Sequence, residues 1–332
     1  MATTLKDVAA RAGVSIKTVS NVIHDYPHIR RSTRQRVEQA IAELGYTPNQ
    51  TARNLRTGRT GVIALAVPDL ALSYFAELAG RVIEIADERG FAVQVEQTAG
   101  TSEREIDLLR APRLRMADGL LFSPLQTTRA DLSNLDVDYP LVLLGEHIFD
   151  GPTDHVTMRN VEAARAATEF LLDSGRHRIA LVGAHEGERS GSAGLRLAGY
   201  RTALEARGRR VDEALLVPAA TWHRSDGLRA ARDLIARAVD FDALFALNDT
   251  LAFGAIRALE ESGRVVPDDV AVIGFDNVDE GAYWHPALTT VDPGREWIVR
   301  RAVEALIERI EGSDAAPRTL LADFRIVERE SA

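Results

Sequence analysis

The 332-residue sequence contains no cysteine, which excludes a disulfide framework, a thiolate nucleophile and a thiolate metal site. Such a chain fits a reducing compartment, and a cytoplasmic location is expected. It has no run of 18 or so apolar residues, so no helical membrane span is expected. The opening MATTLKDVAARAG carries charges where a secretory signal needs an apolar stretch. Catalytic signatures are missing as well, including a Walker phosphate loop and a GxGxxG turn. His185 and Glu186 begin a zinc-helix pattern, but Arg189 stands where the second histidine is required. His24 and His28 are four apart, yet Pro27 between them breaks the helix that would align them. The Ser190-Gly191-Ser192-Ala193-Gly194 stretch lacks the first glycine of a nucleophile elbow, and Asp268-Asp269 reads as a loop before a strand. The chain is therefore read as a non-enzyme, with no catalytic residue, metal or cofactor.

Charge is distributed unevenly. The chain's net −9 hides a basic head: residues 1–59 hold ten Lys/Arg against four acids, a net +6, which leaves −15 for the remainder. A basic head on an acidic body is the asymmetry expected when one end meets phosphate. A solvated basic tail would give the same count, but this head also has apolar periodicity. Thr4 and Asp7 form a capping-box start, with Leu5, Val8, Ala9 and Ala12 as a stripe that Gly13 ends. Ser15 caps a second helix in which Ile16, Val19, Val22 and Ile23 can pack while Lys17, Thr18 and Asn21 face outward. A third helix starts at Ser32 or Thr33, turns Val37, Ile41 and Leu44 inward and stops at Gly45. The tight Ala12-Gly13-Val14 turn joins the first two as a helix-turn-helix, which presents its second helix to the major groove.

Residues 46–60 read as a connector in which Pro48 opens a helix of about two turns. That is too short to be stable alone in water, so it needs DNA or a second copy to fold. From Gly61 the pattern alternates apolar strands (61–67, 91–96, 119–124, 141–145, 178–183, 243–247, 270–275) with amphipathic helices (74–89, 102–112, 160–174, 195–207, 225–238, 249–262). Continuous apolar strands between helices predict doubly wound parallel sheets. About 270 residues exceed what one sheet usually holds, so an α/β core of two lobes with a cleft between them is expected.

TLKDVAARAGVSIKTVSNVIH (4–24) followed by ELGYTPNQTARNL (43–55) resembles the lactose/galactose repressor (LacI/GalR) family. The likeness continues, in the family's order, through VPDLALSYFAEL (67–78), LRLAGYRTAL (195–204), ALNDTLAFGAIRAL (246–259), VAVIGFDN (270–277) and PALTTV (286–291). It implies a small all-α helix-turn-helix domain at 1–48, a hinge helix and linker at 49–59, and a periplasmic-binding-protein-like core at 60–332. The core's first lobe would span about 60–159 and 291–320, its second about 160–290 and 321–332. The partners implied are a pseudo-palindromic operator DNA, a small-molecule effector and a second copy of the chain, with no membrane. The end at Ala332, without apolar heptads beyond the core, suggests a dimer rather than a tetramer.

Carried over residue by residue, the resemblance places Ile16, Lys17 and Asn21 on bases. Thr4, Ser15, Thr18, Ser20, His24, Thr33, Tyr46 and Asn49 would touch or support the backbone, with His28 near the groove edge. Ala52 and Leu55 would also meet DNA, Leu55 as the wedge that two subunits push into the minor groove. Asn21 departs from the arginine common at its position, which alters base preference there. Arg196, Asp276 and Asn248 match polar anchors for the effector, and a guanidinium with a carboxylate suits paired hydroxyls. Asp69, Ser73 and Ser123 follow strands, where a doubly wound sheet places ligands. Tyr74, Phe75 and Trp222 match aromatic positions against the ligand, although Tyr74 and Phe75 also read as ordinary core residues. Arg159 stands where many relatives have aspartate, which would make the lining near that strand end unusual. Trp222 with Asp69 favours a sugar over a purine or nucleoside. A sugar-binding receptor is the alternative class, which the basic head and the absent signal disfavour.

Overall fold

The computed structural model describes residues 3–23, 26–46, 59–146, 148, 151–185 and 191–332. Its N-terminal unit starts on the capping box: Thr4 donates its backbone N–H and its hydroxyl to Asp7 Oδ2 (2.8 and 2.6 Å), and Asp7 N–H returns to Thr4 Oγ1. Helix α1 (Leu5–Ala12) stops at Gly13, whose φ of 65° lets its N–H reach back to Ala9 and Ala10 carbonyls. Helix α2 (Ile16–Ile23) begins with Ser15 Oγ accepting from Thr18 N–H at 3.1 Å. Helix α3 (Arg31–Leu44) starts earlier than Ser32 or Thr33, because the Arg30 carbonyl accepts from Thr33 and Arg34 N–H; Gly45 ends it. Val8, Val19, Val22, Val37, Ala40 and Tyr46 close the small core between the three helices. Ile16 does not join them: it is 49% exposed.

Residues 61–332 form a second unit built on two six-stranded sheets among the described residues. The first contains β1 (Val62–Val67), β2 (Ala92–Gln97), β3 (Leu120–Phe122), β4 (Leu141–Leu144), β5 (Asp154–Met158) and β11 (Thr319–Ala322), in the order β11-β5-β4-β3-β1-β2. The second contains β6 (Ile179–Ala184), β7 (Leu216–Pro218), β8 (Ala243–Ala246), β9 (Ala271–Phe275), β10 (Thr289–Asp292) and β12 (Arg325–Val327), in the order β12-β10-β9-β8-β6-β7. Both are parallel throughout, except that β12 runs antiparallel to β10. β1, β4, β5, β8 and β9 are buried along almost their whole length, as helices on both faces require.

The chain passes between the lobes at Arg159, at Pro293-Gly294 and at Asp323-Phe324. Arg159 turns to Asp323 (3.3 Å), tying the first crossing to the third. Its guanidinium is therefore committed to the crossings, and Thr157 and Met158 line the cleft at that strand end.

β5, β7 and β10 to β12 fall outside the expected strand list, as do the Glu280–Tyr283 turn and the long Arg295–Ile310 helix. β5 carries Asp154, wholly buried. Although burial pushes its carboxyl upward, hydrogen bonds from Arg309 Nε (2.8 Å) and Arg318 N–H (2.9 Å) hold it below its usual value. Helices Arg224–Ala236 and Asp249–Glu261 meet backbone to backbone. A Cβ at Gly227 would lie 2.0 Å from the Leu251 carbonyl oxygen, and one at Gly254 would lie 1.9 Å from that of Arg224.

Candidate functional site

On the N-terminal unit, α2 exposes Ile16 and Lys17, with Thr18, Ser20 and Asn21 half-buried beside them. One face of one helix thus offers a cation, an amide, two hydroxyls and an apolar side chain. That is a set able to read base edges and T methyl groups. Thr4 and Ser15 are exposed, but their hydroxyls already serve helix capping. His28 is exposed, its ring edge-on to Tyr26 (5.5 Å, 74°), and Thr33 is half-buried. Tyr46 lies in the head's core at 8% exposure, so it supports the surface from within. His24, Asn49, Ala52 and Leu55 lie outside the described residues.

In the second unit a cavity of about 210 Å³ opens between the lobes, beyond the carboxyl ends of the strands. Ser123 follows β3, Glu146 follows β4, His185 follows β6, Asn248 follows β8 and Asp276 follows β9. Tyr74 and Phe75, at the start of the Ser73–Glu88 helix, meet edge to face (5.2 Å, 79°) and form part of one wall. Trp222 forms another part, at φ 58°, with its indole N–H on the Gly183 carbonyl at 3.2 Å. Asn248 caps the Asp249–Glu261 helix through Oδ1 on Leu251 N–H (2.7 Å) and donates Nδ2 to the Trp222 carbonyl (3.2 Å). Its amide thereby holds the Trp222 backbone as well as lining the cavity.

Arg196 is 3% exposed. Its Nε donates to Asn160 Oδ1 at 2.7 Å, Nη1 donates to the Leu247 carbonyl, and Cζ lies 3.6 Å from the Phe275 ring centroid. Nη2 is 4.0 Å from Asp276 Oδ1. Burial pushes the Asp276 carboxyl up to about 7, against the pull of Arg196 and Arg295. Two successive residues hold it there in left-handed backbone, Asp276 at φ 120° and Asn277 at φ 51°. Behind them Asp249, wholly buried, accepts from Val278 N–H (2.9 Å) and the Thr290 hydroxyl (2.5 Å). Burial, with Asp276 next, raises the Asp249 carboxyl well above its usual value.

Of the cleft residues expected from sequence, Tyr74, Phe75, Ser123, Arg196, Trp222, Asn248 and Asp276 come together on the cavity. Asp69 and Ser73 do not line it. Asp69 bridges to the opposite lobe through His223 Nε2 (3.1 Å), and Ser73 Oγ meets Glu280 and Arg224 there (3.5 Å each). Three further residues escaped the sequence reading. Glu146, 5% exposed, accepts from Ser192 Oγ of the other lobe at 2.7 Å. Thr157, 1% exposed, has a hydroxyl without a hydrogen-bond partner among the described residues. Glu105, wholly buried behind the wall, accepts from Leu125, Gln126 and Thr127 N–H and the Thr127 hydroxyl, its shortest contacts 2.7 Å. A lone acid in an amphipathic helix or after an apolar run carries no spacing signal.

A helix-turn-helix unit followed by a two-lobed core with its cavity at the strand ends defines a DNA-binding transcriptional regulator. Residues 4–49 match the bacterial regulatory proteins of the lacI family, and residues 168–332 match the periplasmic binding protein-like domain. The HTH-type transcriptional regulator CelR of Thermobifida fusca is 36% identical over 99% of this chain and 98% of its own length. The chain belongs to the LacI family of transcriptional regulators. A solved CelR–cellobiose complex superposes with a TM-score of 0.73 at 32% identity, covering 99% of this chain and 100% of that one. A LacI-family regulator from Sanguibacter keddieii gives 0.77 at 53% identity over 82% of this chain and 99% of its own. The Lac repressor dimer bound to operator and the anti-inducer ONPF gives 0.86 at 26% identity over 100% and 99%.

Proposed function

We propose that this regulator is a repressor whose grip on operator DNA is set by a carbohydrate held between the lobes. In this reading residues 1–48 bind a pseudo-palindromic operator, 49–59 form the hinge, and 60–332 sense the effector and hold two copies together in the cytoplasm. Ile16, Lys17 and Asn21 read bases, with Leu55 as the minor-groove wedge. Tyr74, Phe75 and Trp222 pack on the sugar, while Arg196, Asn248, Ser123 and Asp276 hold its hydroxyls. Asp69 and Ser73 act at the lobe contact rather than on the ligand.

The observation that carries the sugar reading is the pairing of three aromatic rings with buried, hydrogen-bond-competent Arg196 and Asp276 on one cavity. Sugar-like ligands need both: apolar faces for ring C–H groups and fixed polar groups for hydroxyls. The cellobiose held by CelR agrees in kind. Coupling to DNA requires that the sugar favour one lobe arrangement over another and that the hinge respond.

The test is a thermal-shift screen of the full-length protein against mono- and disaccharides and nucleobases, since a ligand of the folded state raises the apparent melting temperature. The leading ligand is then titrated into operator and scrambled duplexes. A sugar that stabilises the protein and changes operator affinity supports the proposal. Stabilisation by a nucleobase alone, or equal affinity for both duplexes, overturns it.

A further inference from the structure

Each lobe brings one buried carboxylate to the cavity: Glu146 after β4 in the first lobe and Asp276 after β9 in the second, at 5% and 6% exposure. The facing cation among the described residues is Arg196, whose guanidinium donates to Asn160 and the Leu247 carbonyl, lies over the Phe275 face and is 4.0 Å from Asp276. An anionic ligand would compete with Asp276 for that cation while lying against two acids in a cavity that screens them poorly. His185, half-buried, is the other basic residue among the described lining residues.

The same groups suit an uncharged polyol. Carboxylates are acceptors only, so they pair with ligand hydroxyl donors, and Glu146 has spent one acceptor position on Ser192. The unpartnered Thr157 hydroxyl can donate or accept.

We propose that the cavity selects an uncharged sugar against its phosphorylated or carboxylated counterpart, and that Glu146 is the residue that excludes the anion. This rests on the sugar reading above. Built-in repulsion is a means of specificity distinct from added attraction. Asp276 lies 4.0 Å from Arg196, whereas Glu146 makes no ion pair among the described residues and accepts a hydrogen bond from the Ser192 hydroxyl. An incoming phosphate is therefore repelled by a carboxylate that no ion pair among the described residues neutralises.

The experiment is isothermal titration calorimetry of the full-length protein at pH 8 with three matched pairs: glucose and glucose 6-phosphate, cellobiose and cellobiose 6′-phosphate, trehalose and trehalose 6-phosphate. Glu146→Gln and Glu146→Asp variants are run beside the wild type, with thermal unfolding as the check that each is folded. Wherever a pair binds, the neutral member should bind at least ~10-fold tighter to wild type, as like-charge juxtaposition implies. Glu146→Gln should shrink that ratio about tenfold, and Glu146→Asp, which keeps the charge, should retain it. A phosphorylated sugar binding as tightly as its neutral partner overturns the selection. A ratio that Glu146→Gln leaves unchanged, or that Glu146→Asp loses equally, removes Glu146 as its source. A sugar that the screen above finds outside these pairs joins them with its phosphate; if the screen finds no sugar that binds, the sugar reading itself is overturned and this inference falls with it.

Discussion

The Arg196 guanidinium lies 4.0 Å from the Asp276 carboxylate, with both side chains almost wholly buried. Burial pushes the Asp276 carboxyl up to about 7, and the pair, loose for two ions in a dry site, does not bring it back down. Sugar affinity should therefore rise as the pH climbs from 6 to 8 and the carboxylate becomes a full acceptor. Asp276→Asn should abolish that rise and weaken binding by roughly 1.5–3 kcal/mol, the range for a hydrogen bond to a charged group. Calorimetry across this pH range, on wild type and variant, reads both effects. A flat wild-type profile would detach Asp276 from the ligand.

The same residue sets a stability prediction of opposite sign. The folded chain binds this proton more tightly than the unfolded chain does, so Asp276 contributes stability below pH 3.8 that is lost as pH rises through about 7. The ceiling on the loss is about 4 kcal/mol. Without ligand, Asp276→Asn should gain more stability over wild type at pH 8 than at pH 5, where only part of the loss has occurred. Urea unfolding at the two pH values measures the difference. A variant less stable than wild type at pH 8 contradicts the assignment.

Gly254→Ala and Gly227→Ala should each destabilise the second lobe. Alanine improves helix propensity by about 1 kcal/mol where space allows. Here each new methyl group would strike a backbone carbonyl at 1.9–2.0 Å, so the helices must separate, with a net loss of about 1–3 kcal/mol or more. The urea midpoint decides: an unchanged or higher value would mean that the two helices part at no cost.

On the DNA side, Lys17→Ala removes an exposed cation from the outer face of α2 and should relax base preference at one operator position, costing roughly 1–3 kcal/mol. Arg34→Ala, on α3, should weaken all sequences alike through lost phosphate attraction. Competition binding with operator variants at two salt concentrations separates the cases. Equal losses on operator and scrambled DNA for Lys17→Ala would place it on the backbone.

What the sequence disclosed depended on whether a residue's role was local. VIALAV and AVIGF are continuous apolar runs, and they appear as buried β1 and β9. The DHVTM of β5 gave no such signal, because its Asp154 is neutralised by Arg309 and Arg318, about 160 residues away. The Arg295–Ile310 helix alternates charge and apolar side chains too densely to stand out, yet it packs on the first sheet. In the cleft, Arg196, Asn248 and Asp276 were legible through the family motifs that carry them. Glu146 and Thr157 were not, since only the meeting of two lobes gives them meaning. Asp69 and Ser73 sit where a sheet of this kind places ligands, but their partners across the cleft claim them first.

Glu105 holds Leu125, Gln126 and Thr127 from behind, through their N–H groups and, at Thr127 alone, the hydroxyl as well, while Leu125 and Gln126 line the cavity. Scaffold and recognition are thereby assigned to different atoms of the same loop. The two cavity-facing side chains can be exchanged without disturbing what anchors the loop, so this stretch is where new ligand preferences can arise by mutation with the protein still intact. A randomised library at positions 125 and 126 draws on that freedom, and substituting Glu105 forfeits it.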